Sequence, residues 1–452
     1  MNEWEIHSIG DLIEGGAILI HKDGNHGANY PRVSDFKSEG LPFLTAKSLS
    51  GWSIDVENAP KLSSEKASSF RFGFIAEGDV LLSHNATVGR VAIVPELSGP
   101  AVIGTSLTQF RTDQTKLSSP YLAIYFSSRD FQEQLSFVMA QTTRNQVPIS
   151  AQRRLPVVVP PLSTQHRIAD FVMGFNAKIE LNRRMNETLE AMAQAIFRDW
   201  FVDFGPTRRK LEGATDPLTI MGGLVQDTEW AQALADLFPA ALGDDGLPEG
   251  WKKKALLEEA KLISGGTPKT AREEYWDGGI PWASAKDVSQ CGETLLLDTE
   301  RSITQSGLDN SSTRMVPKFS TVVVARGATT GRYCMFAESM AMNQTCYALH
   351  SASGRPFLLY NMFGSLIEEL VQAAHGSVFD TITTKTLATG FVIDAEGVSA
   401  EFEKTAAPLY KAIENNSRQN RTLAATRDLL LPKLMSGEIR LSEAEGLMEA
   451  AQ

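Results

Sequence analysis

The 452-residue chain predicts an α+β protein: two globular domains of mixed strands and helix, separated by two long antiparallel coiled-coil helices with pseudo-two-fold symmetry. Three observations predict it. The segment 179–191 reappears at 413–425 with eight of thirteen positions identical and no gap, a displacement of 234 residues. Solenoid repeats recur every ~20–50 residues, so this repeat is a whole domain plus a helix. A 3.5-residue apolar period runs through both copies, and the strand-rich text before each copy also matches. Residues 41–47 (LPFLTAK) answer 280–286 (IPWASAK), and 80–90 (VLLSHNATVGR) answer 322–332 (VVVARGATTGR).

Residues 1–159 form the first domain. Short apolar runs such as 79–83 and 90–94, punctuated by Gly, Pro, Asn and Ser, read as strands. Leu122, Tyr125, Phe126, Phe131 and Leu135 mark a helix over 120–140. Pro160-Pro161 closes the domain because neither proline can donate to a sheet. The first long helix follows over 160–204, with Ser163 as its N-cap and Phe204-Gly205-Pro206 as its stop. Its seam is Ile168, Val172, Phe175, Ile179, Asn182, Asn186, Leu189, Ala193, Ile196 and Trp200. Residues 205–250, rich in Gly, Asp and Pro, read as a polar linker. The second domain occupies 251–397, again with a helix, near 357–374. The second long helix spans 398–440, its seam running Phe402, Ala406, Leu409, Ile413, Asn416, Asn420, Leu423, Arg427, Leu430 and Leu434. Residues 441–452 read as a frayed acidic tail.

Charge neither supports nor opposes a polyanionic partner. The net charge is −11, yet residues 1–160 and 251–397 each hold 14 Lys+Arg against 16 Asp+Glu, while 161–250 hold 8 against 14. The excess acid lies mainly in the middle, which leaves each domain free to carry a basic face. No apolar run reaches the roughly 18 residues of a membrane span, and the start of the chain lacks a signal-peptide pattern, so a cytoplasmic protein is expected. Cys291, Cys334 and Cys346 form no CxxC pair and leave an odd count, which speaks against disulfides or a cysteine zinc site.

Two stretches resemble the specificity subunit of type I restriction-modification systems. One runs from Pro160-Pro161-Leu162, Gln165 and Arg167-Ile168-Ala169 through Asn182 to Ala195-Ile196-Phe197 and Trp200-Phe201. The other is Leu423-Ala424 followed by residues 427–438 (RDLLLPKLMSGE). Gly265-Gly266-Thr267-Pro268, Tyr275-Trp276, residues 279–282 and Asn343-Gln344 resemble that family's target recognition domain. The first domain departs from this framework, with Gly15-Gly16-Ala17-Ile18 and Gly104-Thr105 at the corresponding places. The resemblance implies that each domain reads one half of a bipartite, asymmetric site in double-stranded DNA, in the major groove. It also implies two modification (methyltransferase) subunits and restriction (translocase-nuclease) subunits as partners. S-adenosylmethionine, ATP and Mg are then expected in those partners, with no cofactor in this chain. The first seam, at 1.5 Å per residue, is about 50 Å long, equivalent to roughly fifteen base pairs.

Candidate DNA contacts lie in loops. Asn85, Thr87 and Arg90, with Thr329 and Arg332 opposite, belong to glycine-containing loops after apolar strands and can offer guanidinium and backbone N–H groups to phosphates or bases. His84 stands against Arg326 in the ungapped match, a difference suited to different half-sites. Lys47 and Lys286 match, which suits phosphate. Arg144, Asn145 and Gln146, facing a segment that includes Ser377, are types that read guanine and adenine edges. For each loop, a turn that supports the fold without touching DNA is the competing reading. Asn182, Asn186, Asn416 and Asn420 either pair across the helices in a polar layer or face a partner, with Leu189 and Leu423 beside them. Phe197 and Trp200 either anchor a modification subunit or pack into the core. No phosphate loop, amino-methyltransferase motif or metal signature is present, so the chain is expected to catalyse nothing itself, serving as a non-catalytic subunit of a DNA adenine methyltransferase and site-specific deoxyribonuclease complex. The competing function is a duplicated coiled-coil adaptor that docks two copies of a partner without specific DNA binding.

Overall fold

The computed structural model describes residues 4–25, 27, 30–141, 145–373, 381–439, 443, 444 and 446. The chain divides into two compact units, one of residues 1–179 with 421–452 and one of residues 180–420. Each therefore combines one domain with a segment of each long helix.

The first unit contains a four-stranded sheet in the order Ile18–Asp23, Leu107–Thr112, Val80–Ser83, Val91–Ile93, and a second four-stranded sheet around Leu41–Leu44. An antiparallel ribbon pairs Glu5–Ser8 with Pro156–Val159 just before the helix Leu162–Phe197. The predicted helix over 120–140 is two helices, Ser119–Ser127 and Arg129–Ala140. Ser128 breaks it by adopting extended φ/ψ and accepting from Phe131 N, so one residue ends one helix and caps the next. Ser163 likewise lies inside its helix rather than capping it. Gln165 is buried there, accepting from Ser118 N at 2.9 Å and donating to Pro160 O at 2.8 Å. Ile168, Val172, Leu430 and Leu434 enter one core with Phe110, Tyr121 and Phe126. Ala444 is also buried in that core, so the tail is not wholly frayed.

The second unit repeats the plan. A five-stranded sheet runs Ala260–Ser264, Cys346–Ser351, Thr321–Val324, Tyr333–Phe336, Leu295–Leu296, and Lys252–Ala255 pairs with Phe391–Asp394 ahead of the helix Glu396–Ser436. The helix Pro356–Ala373 packs against the sheet. All three cysteines are free.

The polar-linker reading of 205–250 is overturned. Helices Gly205–Leu211, Pro217–Ile220 and Thr228–Ala235 and the turns that follow them bury Met221, Ala231, Leu234 and Phe238 in the same core as Trp200, Phe201 and Trp251. Arg209 grips Asp199 with two bonds of 2.9 and 2.8 Å, and Lys210 Nζ donates to Ala235 O and Phe238 O at 2.7 Å each. The polar residues that suggest a linker are capping residues: Asp216 accepts from Thr219 N and Asp227 from Trp230 N.

Candidate nucleic-acid interface

Each domain carries an edge made from two chain segments. In the first, strand Val80–Ser83 enters a turn closed by Ser83 N donating to Arg90 O at 2.8 Å and Gly89 N to Ser83 O at 2.9 Å. The segment leading into helix Ile149–Gln152 fastens onto that turn. Val147 N donates to His84 O at 2.9 Å, Asn85 bridges Gln146, and Ala86 N donates to Asn145 O at 3.1 Å. In the second domain Val324 N donates to Arg332 O at 2.8 Å, Gly331 N to Val324 O at 2.9 Å and Ile382 N to Ala325 O at 2.8 Å, while Arg326 bridges Thr381. The fold thus brings Asn85, Thr87, Asn145 and Gln146 together on one edge. Arg326 and Thr329 hold the corresponding places in the second domain, both exposed. Arg144 and Ser377 lie outside the described residues.

These hydrogen bonds correct the ungapped sequence match. The second turn is one residue longer, so Ser83 corresponds to Val324, His84 to Ala325 and Asn85 to Arg326, with the register restored at Gly89 and Gly331. His84 is buried and so is not placed to contact DNA. Its side chain is 8% exposed and its Nδ1 lies 2.9 Å from Thr108 Oγ1, while burial pushes its pKa down to about 4. Arg90 is exposed, but its Nη1 donates to Ala46 O and Leu49 O at 3.0 Å each, so it clamps the turn to the loop that presents the exposed Lys47. Lys286 is exposed and paired with Glu300 at 2.6 Å, and Arg332 is exposed.

Several features escape motif reasoning. Gln152 and Thr108 are fully buried polar side chains in the first domain, bonded to each other and linked to His84. In the second, the Arg301 guanidinium lies 3.5 Å from the centre of the Trp276 ring, itself edge-on to Trp282. A buried glutamine has no sequence periodicity to betray it. The Trp276–Arg301 pair spans 25 residues that only strand pairing brings together.

In the second unit the seam asparagines pair with one another. Asn182 Nδ2 donates to Asn420 Oδ1 at 2.9 Å, and Asn416 Nδ2 to Asn186 Oδ1 at 2.9 Å; Gln419 and Ser417 add bonds of 2.8 and 3.1 Å. One index rises as the other falls, so the helices run antiparallel there. Leu189 and Leu423 are half-buried. Phe197 and Trp200 belong to the core, Trp200 edge-on to Phe402, which leaves neither available as a partner anchor. The exposed apolar side chains of this helix segment are instead Leu181, Met185 and Met192, at 53%, 44% and 48% exposure. Their repeat counterparts Asn415, Gln419 and Thr426 are polar, so the duplicated helices do not present equivalent outer faces.

The sequence model of the type I restriction modification DNA specificity domain matches residues 1–191 and again 248–389. The chain is 24% identical to the type I restriction enzyme HindI specificity subunit of Haemophilus influenzae, over 97% of this chain and all of that one. It is likewise 24% identical to the MjaIX specificity subunit of Methanocaldococcus jannaschii, over 98% of this chain and 94% of that one. The crystal structure of the type I restriction-modification S subunit from M. genitalium matches with a TM-score of 0.53, 14% identity and 96% coverage of both chains, a likeness of fold.

Proposed function

The chain belongs to the type I restriction-modification specificity family, recognising DNA sequence as a non-catalytic subunit, and on that premise we propose that its two domains read the two halves of a bipartite site through the paired-segment edges. The observation that carries this assignment is one backbone arrangement bearing different side chains: Asn85 bridged to Gln146 in one domain, Arg326 to Thr381 in the other. A bidentate amide suits adenine and a guanidinium suits guanine, so two such edges select different bases from one scaffold. Exposed Lys47 and Lys286 serve phosphates, which position the protein without specifying sequence.

The partners in this proposal are double-stranded DNA, two modification subunits that bring S-adenosylmethionine, and restriction subunits that bring ATP and Mg. Modification subunits dock along the long helices, with Leu181, Met185 and Met192 as the apolar contact on the first of them. No helix among the described residues is long and apolar enough to cross a membrane, and the cytoplasm is where the DNA would be met. An adaptor without DNA specificity would have no need for unlike edges on like frames.

The test is domain exchange. Replacing residues 1–159 by the corresponding domain of another family member, within the assembled methyltransferase, is expected to change one half of the methylated motif as mapped by single-molecule sequencing. A change in both halves, or in neither, overturns the modular reading.

A further inference from the structure

Beneath the first domain's edge lies a continuous chain of side-chain hydrogen bonds. His21 Nε2 meets Gln152 Oε1 at 3.1 Å. Gln152 Nε2 donates to Thr108 Oγ1 at 3.0 Å and to Val147 O at 2.9 Å, and Thr108 Oγ1 meets His84 Nδ1 at 2.9 Å. Proton directions follow from the chemistry of the groups. An amide oxygen only accepts, so His21 donates from Nε2. Gln152 occupies a lone pair of the Thr108 hydroxyl, whose own hydrogen is free to bond Nδ1 of a neutral His84. Burial lowers the pKa of both histidines, in keeping with that arrangement; Asp23 and Arg153 are the charged side chains that act on His21.

The chain joins strand Ile18–Asp23, strand Leu107–Thr112, the exit of strand Val80–Ser83 and helix Ile149–Gln152. Its end point is Val147, whose C=O is held by Gln152 and whose N–H is held by His84 O. Val147 follows Gln146, and His84 precedes Asn85, the two residues bridged at the edge. In the second domain strand register and backbone bonds place Leu262, Tyr347, Ala325 and Leu387 at the equivalent positions. All four pack in or against the second unit's apolar core. Apolar contacts hold a segment without fixing its direction, whereas a satisfied buried polar network specifies one geometry and fails when one member is lost.

We propose that His84, Thr108, Gln152 and His21 are positioning residues for the first domain's reading edge, so that base discrimination in one half-site depends on directed hydrogen bonds that the other half-site does not use. This rests on the reading of the edges as DNA contacts. None of the four touches DNA; they act through Asn85, Asn145 and Gln146.

The experiment uses the full chain assembled with its modification subunits, with methylated sites mapped by single-molecule sequencing and the half-sites assigned by the domain exchange above. His84→Leu removes the bond to Thr108. Methylation at sites with one wrong base in the first half-site should rise roughly tenfold relative to the correct motif, equivalent to about 1.4 kcal/mol, with the second half-site unchanged. His84→Asn, whose amide reaches the position of Nδ1, should restore discrimination. If His84→Leu fails to assemble, Thr108→Val removes the same bond from the other side and the same relaxation is expected. An unchanged motif, equal relaxation of both half-sites, or His84→Asn behaving like His84→Leu overturns the proposal. A wild-type complex that methylates no bipartite motif would instead refute the underlying reading.

Discussion

The two domains hold the same loop frame over different interiors. The turn bonds, Ser83 N to Arg90 O and Val324 N to Arg332 O, are both 2.8 Å, and the clamps from Val147 and Ile382 differ by 0.1 Å. Yet a buried glutamine, threonine and histidine support one frame, and Leu387, Tyr347 and Ala325 stand in their places under the other. One backbone frame is common to both halves, while the layer beneath and the side chains above vary separately. That difference locates where each domain is vulnerable: the first to loss of a bond, the second to arrival of an unpaired polar group.

The largest effect expected from that difference is in the second domain. Leu387→Gln places an amide where Gln152 stands in the first, but Leu262 and Ala325, in the places of the two histidines, offer its oxygen no donor. Burying it unsatisfied, with loss of leucine packing, should destabilise the domain by about 3–5 kcal/mol. Amide hydrogen exchange of the full chain should then show loss of protection in strand Thr321–Val324 and none in Val80–Ser83; equal loss in both strands would dissolve the distinction between the units.

Next in size is a response to pH confined to the first domain. The folded pKa of His84 is depressed to about 4 against an ordinary 6.5, because burial disfavours the imidazolium. The unfolded chain therefore takes up the proton first. The contribution to stability is complete above about pH 6.5 and disappears as pH falls towards 4, with a ceiling of about 3 kcal/mol. His21, also depressed, acts in the same direction. Protection of strand Val80–Ser83 should weaken across this window while Thr321–Val324 keeps its protection, and His84→Asn should flatten the slope. A parallel decline in both strands would trace the effect to other groups.

The parts legible in the sequence are those where one physical demand recurs at a fixed interval. The 3.5-residue seam lands on Ile168, Val172, Asn182 and Trp200, all buried, because each must face a neighbouring helix. The strands on either side of the edges follow from short β-rich runs between turn residues. Demands satisfied once leave no period. Ser128 ends one helix and starts another with a single rotation of ψ, and Met221 and Phe238 enter the core from just beyond the ends of helices Pro217–Ile220 and Thr228–Ala235, where no helical period reaches them. The edge was half legible. Residue types single out Asn85, Asn145, Gln146 and Arg326 as candidates, but their correspondence between the domains depends on one extra residue in a turn, which only backbone pairing reveals.

That extra residue leads to the smallest and most discriminating test. Ala86 follows Asn85 with φ at +63°, and Gly327 follows Arg326 with φ at +105°. The first value lies in the left-handed well an alanine can occupy at a cost of about 1–2 kcal/mol; the second lies outside it. A Cβ on Gly327 would meet nothing within 4 Å, so Gly327→Ala tests backbone strain without a clash. It should destabilise the second domain by about 1–3 kcal/mol. Ala86→Gly relieves strain in the first domain but adds freedom to the unfolded chain, and the two effects should leave a change below about 1 kcal/mol. Both are read by urea unfolding of the full chain followed by exchange at the two strands. If Gly327→Ala proved as neutral as Ala86→Gly, the longer turn would be able to adopt the first domain's conformation, and the loops would be interchangeable in backbone as well as frame. Unequal outcomes would mean that the second edge needs its glycine to aim Arg326, a constraint that the first edge meets with a strained alanine held by Asn145 O.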